Sequence, residues 1–296
     1  MGSVPAEDYG AVAGVEAALP ERAEVDANNP PWNIATAFLS WLGSVFILLG
    51  VSIAAGVVVL IYASRKYGIT SGEQLKEIFL KDKVAVLIQV IAVIPAHLLT
   101  IVLAWAVVTN LGRRPFWRTL GWRWNSTLEI IASICLAMVL LVVGGLITYF
   151  YGGEPTDIDQ IINSSTAARF VLAFLATATA PFVEEVIYRG ILYPALQRAI
   201  GIAWAIVGVT LLFTLVHYWQ YQNNISVLAA IGFLSLALTL VRAYTGRLLP
   251  CFVIHLVFNG LQSLYIIVQP YLTKPETVPI PKPGVVISTL ARLIGA

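Results

Sequence analysis

The stretch PFVEEVIYRGIL, residues 181–192, sets Glu184, Glu185 and Arg189 among Val, Ile, Leu and Phe. Ionisable groups in so apolar a run cost about 3 kcal/mol each on membrane-insertion scales, so each needs a partner or a wet cavity. Glu185 and Arg189 stand four residues apart with the acid first, the favourable order for an ion pair along a helix. Successive helical side chains diverge by about 100°, so Glu184 cannot share the direction of Glu185. Its own neighbours one turn on are Ile187 and Tyr188, neither of them a cation. A carboxyl so placed suits taking a proton and returning it.

Two later apolar runs supply partners. His217 lies near the end of VTLLFTLVHYWQY with Phe213 one turn before it, and CFVIHLVFNGLQ places His255 and Asn259 one turn apart on one face. A single histidine in such a run is more often a structural hydrogen-bonding residue than a catalyst. Glu184, His217, His255 and Asn259 taken together form a set with a chemistry: a carboxylate and an imidazole polarise one water, while a second imidazole and a carboxamide donate to a developing oxyanion. That is the equipment for hydrolysing an amide without a nucleophilic Ser or Cys, and intramembrane peptide-bond hydrolysis is the leading reading. His97 follows Pro95 in another apolar run without a motif partner and reads as a structural or kink-associated histidine.

The segments EEVIYR, FTLVH and HLVFN, in that order on successive apolar runs, resemble the type II CAAX prenyl endopeptidases and their bacterial relatives, the CAAX protease and bacteriocin-processing (Abi) family. The resemblance spans roughly residues 113–263, with FWRTLGWRW similar to the aromatic and basic stretch ahead of that family's core. It implies that Glu184 is the catalytic glutamate, that His217 helps to activate the water, and that His255 with Asn259 forms the oxyanion hole. Glu185, Arg189 and Phe213 would support the site. It also implies a membrane-associated protein or lipidated peptide as substrate, prenylated in eukaryotic members, and no organic cofactor.

The elements that must position these residues follow from composition. The chain of 296 residues is 58% hydrophobic and 11% charged, where ordinary soluble domains carry about a quarter charged residues. Apolar runs near 34–63, 84–109, 129–150, 166–196, 201–218, 225–243 and 250–269 reach or approach the roughly 20 residues of a membrane-crossing helix. The expectation is an all-α polytopic bundle of seven or eight spans around an intramembrane polar cavity. A flexible acidic tail (1–33) precedes two spans joined by an amphipathic segment (34–109); a catalytic membrane core (110–269) and a Pro-rich segment (270–296) follow. A net charge of +2 without a dense basic patch excludes nucleic acid as partner, and Cys135 and Cys251 show no metal or disulfide spacing.

Basic residues orient the spans. Arg113, Arg114, Arg118, Arg123, Arg198, Arg242 and Arg247 fall in alternate loops, whereas 152–165 and 219–224 hold no Lys or Arg. The arginine face is therefore expected in the cytoplasm, with the site opening toward it, in a prokaryotic inner membrane. Arg65, Lys66, Lys76, Lys81 and Lys83 dissent, and SGEQLKEIFLKDK reads as an amphipathic helix lying on the surface. RRPFWRTLGWRWN has the composition of a headgroup-level anchor.

Three rival readings keep the same residues. Glu184, His217 and His255 are a permissible zinc ligand set, although the helical HExxH signature is absent. The polar cluster could equally be the buried network of a non-enzymatic scaffold or bacteriocin-immunity protein. A proton-coupled transporter would also carry Glu and His in its spans, but no repeat symmetry is visible. Serine chemistry lacks its Gly-x-Ser-Gly motif.

Overall fold

The computed structural model describes residues 26–68 and 71–272. Of the expected acidic tail (1–33) and Pro-rich segment (270–296), residues 1–25 and 273–296 lie outside the described residues. Those described form α1 (Ile34–Tyr67), α2 (Gly72–Lys81), α3 (Lys83–Thr109), α4 (Phe116–Thr119), α5 (Thr127–Tyr151) and α6 (Asp157–Ser164). A 35-residue rod follows, α7 (Thr166–Ile200), and then α8 (Ile202–Val216), α9 (Tyr218–Tyr221), α10 (Ile225–Thr245) and α11 (Leu249–Leu272). No strand occurs among the described residues.

Six helices, α1, α3, α5, α7, α10 and α11, are long and apolar enough to cross a membrane. The apolar α8 has 15 residues, about 22 Å at the helical rise. These seven helices account for the seven apolar runs. Their outer faces are built for lipid: Leu39, Phe46, Leu49, Ile53 and Ile61 of α1 are each half or more exposed. Polar residues punctuate the ends. Asn33 accepts the Thr36 N–H at 2.8 Å, and Asp82 accepts those of Val84 and Ala85 at 2.9 Å, satisfying donors that the first helical turn leaves free.

Strict alternation of direction puts the loops on two faces, and hydrogen bonds between loops agree. On one face Leu248 N–H donates to Gly121 O at 3.1 Å. Gly121 has φ +69°, and a Cβ there would lie 3.0 Å from Gly246 O, so only glycine lets the arginine-rich 113–125 segment close onto the 246–248 corner. On the other face Asn224 Nδ2 donates to Glu154 O at 3.2 Å, Ser226 donates to Gly152 O, and α2 packs on α6. The lysines of α2 therefore sit opposite the arginine face, as alternation requires. Ile78 is the buried residue of this short amphipathic helix.

Residues 26–33 form a strap on the arginine face. Arg242, fully buried, donates from Nε to Arg189 O (3.1 Å), from Nη1 to Asn28 Oδ1 (2.5 Å) and from Nη2 to Ala27 O (2.7 Å). Arg198 reaches Asn29 Oδ1 at 3.1 Å and the carbonyls of Pro30 and Trp32. Trp32 is buried and its indole N–H donates to Ile191 O at 3.0 Å. Carbonyl and carboxamide oxygens thus satisfy both guanidiniums, and for Arg242 they offset a burial that would otherwise be prohibitive. Trp32→Ala should destabilise the protein by about 3–5 kcal/mol, the usual loss for a buried large aromatic. Thermal melting in detergent measures it; a loss below about 1 kcal/mol, within the range of ordinary surface substitutions, would show that the strap is dispensable.

The main apolar cluster wraps the second half of α7: Ile187, Ile191, Leu192 and Tyr193 pack with Trp32, Trp41, Val209, Phe213 and Leu248. Gly190 permits this approach, because a Cβ there would stand 2.8 Å from Leu120 Cδ2. Glu185 and Arg189 of α7 are thereby held in a dry, tightly packed wall.

Candidate active site

The rod α7 is not a regular α-helix. Ala180 N–H bonds to Leu175 O and Tyr193 N–H to Tyr188 O, five residues back, so Leu175–Thr179 and Glu185–Leu192 run in π register. Such widened turns occur mostly where function needs them. Here they bracket Glu184, close to the midpoint of the rod.

Glu185 and Arg189 are both fully buried, and Arg189 Nη1 donates to Glu185 Oε1 at 3.0 Å. The pairing read from their spacing is present. The rest of the guanidinium is satisfied by α10: Nη2 donates to Ser235 O (3.0 Å) and Ser235 Oγ (2.7 Å), and Nε to Thr239 Oγ1 (3.3 Å). Its other face lies 4.6 Å from the centroid of the Phe213 ring, a cation–π contact.

His255 joins this pair to Glu184. Its Nδ1 lies 2.9 Å from Glu185 Oε1 and its Nε2 lies 3.7 Å from Glu184 Oε2. A carboxylate only accepts, so Nδ1 carries the proton and the ring is aimed by Glu185. Glu184 makes no direct hydrogen bond to the described residues, and its side chain keeps 24% of its surface exposed while that of His255 keeps 3%. The other oxygen of Glu185 is buried without a hydrogen-bond partner among the described residues.

His217 is pinned the same way. It terminates α8, and its Nδ1 donates to Phe213 O at 2.7 Å, leaving Nε2 as the lone-pair nitrogen of the neutral ring. Phe213 is the packing hub of the site. Its ring centroid lies 4.8 Å from that of His217, 6.1 Å from His255 and 5.0 Å from Tyr188. Tyr188 in turn accepts a hydrogen bond from Trp41 Nε1 at 3.0 Å, tying the hub to α1.

Asn259, expected beside His255, donates from Nδ2 to Ala176 O at 2.9 Å. The carboxamide holds a second N–H, so one donor stays free. The reason for the bond is local. In π register Ala176 O would be reached from residue 181, and Pro181 has no N–H to give.

Glu184, Glu185, Arg189, Phe213 and His255 thus share one network, with His217 stacked on its aromatic hub and Asn259 bracing the adjoining π turn. Ser235 and Thr239 were not singled out from the sequence, although two small hydroxyl residues four apart in an apolar span are a legible polar stripe. Tyr188 carried no such signal. Among the described residues no group of three His, Cys, Asp or Glu side chains is placed to hold a metal ion.

Residues 166–261, the segment carrying every one of the motif positions, match the family model described as type II CAAX prenyl endopeptidase Rce1-like. That is a protease family, and with the six long apolar helices it makes the chain an integral membrane protein carrying a CAAX-protease-type segment. No curated protein and no solved structure matches the chain.

Proposed function

We propose that the protein is a glutamate-dependent intramembrane endopeptidase acting on a membrane-associated polypeptide, with lipidated CaaX-type peptides as the first substrate class to examine. One observation carries the reading: an unbonded, partly exposed carboxylate, Glu184, stands 3.7 Å from an imidazole that a buried carboxylate has already oriented.

In this reading Glu184 accepts a proton from a water that attacks the scissile carbonyl, and His217 Nε2 orients that water. The oxyanion that forms is stabilised by the free N–H of Asn259 and by His255, which as an imidazolium donates Nε2–H while its Nδ1–H stays on Glu185. Glu184 then returns its proton to the leaving amine. Glu185 and Arg189 act at one remove by holding His255. The buried setting strengthens each electrostatic contact relative to water. The arginine face is taken as cytoplasmic, with substrate entering from that side.

The test is direct. Purified protein in lipid nanodiscs is incubated with a prenylated CaaX peptide and with its unprenylated counterpart, and products are read by mass spectrometry. Release of a C-terminal fragment from the lipidated peptide is expected, at an unchanged rate in the presence of a chelator. If neither peptide nor any other bilayer-anchored polypeptide is cut, a non-enzymatic role for the network takes over. Loss of cleavage with chelator and its return with Zn²⁺ would replace the metal-free mechanism.

A further inference from the structure

The π turn ahead of Glu184 is gripped from two other helices. Asn259 of α11 holds Ala176 O. The second grip comes from α3, where His97 Nδ1 lies 2.8 Å from Thr179 Oγ1. With the Thr179 hydroxyl proton on Leu175 O, at 3.3 Å, its oxygen accepts from the Nδ1–H tautomer of His97, the arrangement that the variants below test. Both contacts fall on the turn that joins directly to the Ala180–Glu184 segment. His97 is half-buried and its Nε2 has no hydrogen-bond partner among the described residues.

A π turn is a strained register that persists where surrounding contacts over-determine it. Without the bond to His97, Thr179 is held only by its 3.3 Å bond to Leu175 O, and the turn can relax toward α register. That would rotate everything downstream by part of a turn, and Glu184 is five residues on. We propose that His97 is a positioning residue which, through Thr179, fixes the π turn and thereby the direction of the Glu184 carboxylate. The proposal rests on the hydrolytic reading for its kinetic consequence, but not for its structural one.

Asparagine separates the parts of the imidazole, since its carboxamide N–H lies near the position of Nδ1–H and nothing replaces Nε2. In the nanodisc assay His97→Ala and Thr179→Val should each lower kcat about tenfold to a hundredfold, the scale of an ångström-level misplacement, with KM changed less than about twofold. The double variant should be no slower than the slower single, because both remove one bond. His97→Asn should recover half or more of the wild-type kcat. Hydrogen exchange over residues 175–185 should quicken in His97→Ala and Thr179→Val but not in His97→Asn.

Unchanged kcat in His97→Ala, additive losses in the double variant, or His97→Asn as slow as His97→Ala would overturn the proposal. Should His97→Ala fail to fold, Thr179→Val and His97→Asn carry the comparison. If the wild-type protein cuts no peptide, the hydrolytic reading falls by itself. Exchange over 175–185 then decides the positioning role, and no quickening in either deleting variant would end it.

Discussion

Glu184→Gln is expected to lower turnover of a bilayer-anchored peptide by about 10²–10⁴-fold, the usual contribution of a positioned general base, while leaving the folded protein as stable as before. Glutamine keeps the shape of the side chain and loses the ability to take a proton. The structural side of the expectation comes from what Glu184 does not do. It makes no direct hydrogen bond to the described residues, His255 Nε2 stands 3.7 Å away, and it remains 24% exposed. Removing its charge therefore strands no buried partner. Turnover and the melting midpoint are measured on the same preparation. A variant that keeps a tenth or more of wild-type turnover would remove Glu184 from the chemistry, while equal loss of melting temperature and turnover would make it a structural residue.

Its neighbour should behave in the opposite way. Glu185→Ala leaves Arg189 fully buried without its carboxylate and His255 Nδ1 without its acceptor. Breaking a buried ion pair from one side costs about 3–5 kcal/mol, because the remaining charge has lost its compensation. Activity should fall with stability, since His255 is then free to turn. The double change Glu185→Met with Arg189→Met should be less destabilised than either single change, because the charges leave together and apolar volume replaces them. Unfolding in graded denaturing detergent, analysed as a double-mutant cycle, checks this. A Glu185→Ala protein as stable as the wild type would show that Ser235, Thr239 and Phe213 alone satisfy Arg189.

Two adjacent glutamates thus have unlike surroundings, and the difference was legible from helical geometry. The i, i+4 relation of Glu185 to Arg189 depends only on helical pitch, so it could be read before any packing was known. The same holds for Asn259 one turn after His255 and for Phe213 one turn before His217. What spacing does not contain is the partner from elsewhere in the chain. Spacing pairs His255 with Asn259 one turn on; it does not show that Glu185, 70 residues away, takes the His255 Nδ1. His97 has no motif partner near it in sequence, and Thr179, the residue it bonds, lies 82 residues on.

The strap and the π turns were beyond sequence reasoning for a different reason. Ala27, Asn28, Pro30 and Trp32 belong to a stretch with no apolar period, and they are ordered by guanidiniums brought over from α7 and α10. Register within α7 was equally hidden, because Pro181 announces a missing donor without saying which carbonyl is left open.

By itself, then, the sequence determined the solvent, the helices and the short-range pairs. Apolar run length decides membrane crossing, alternation of basic loops decides which ends share a face, and 3.6-residue periodicity decides which side chains share a stripe. Only the tertiary structure decided that His255 links Glu185 to Glu184, that Arg189 is completed by Ser235 and Thr239, and that α3 and α11 grip the turn before the glutamates. Those are contacts between helices far apart in the chain. Their geometry is set by how the helices pack, which local periodicity does not encode.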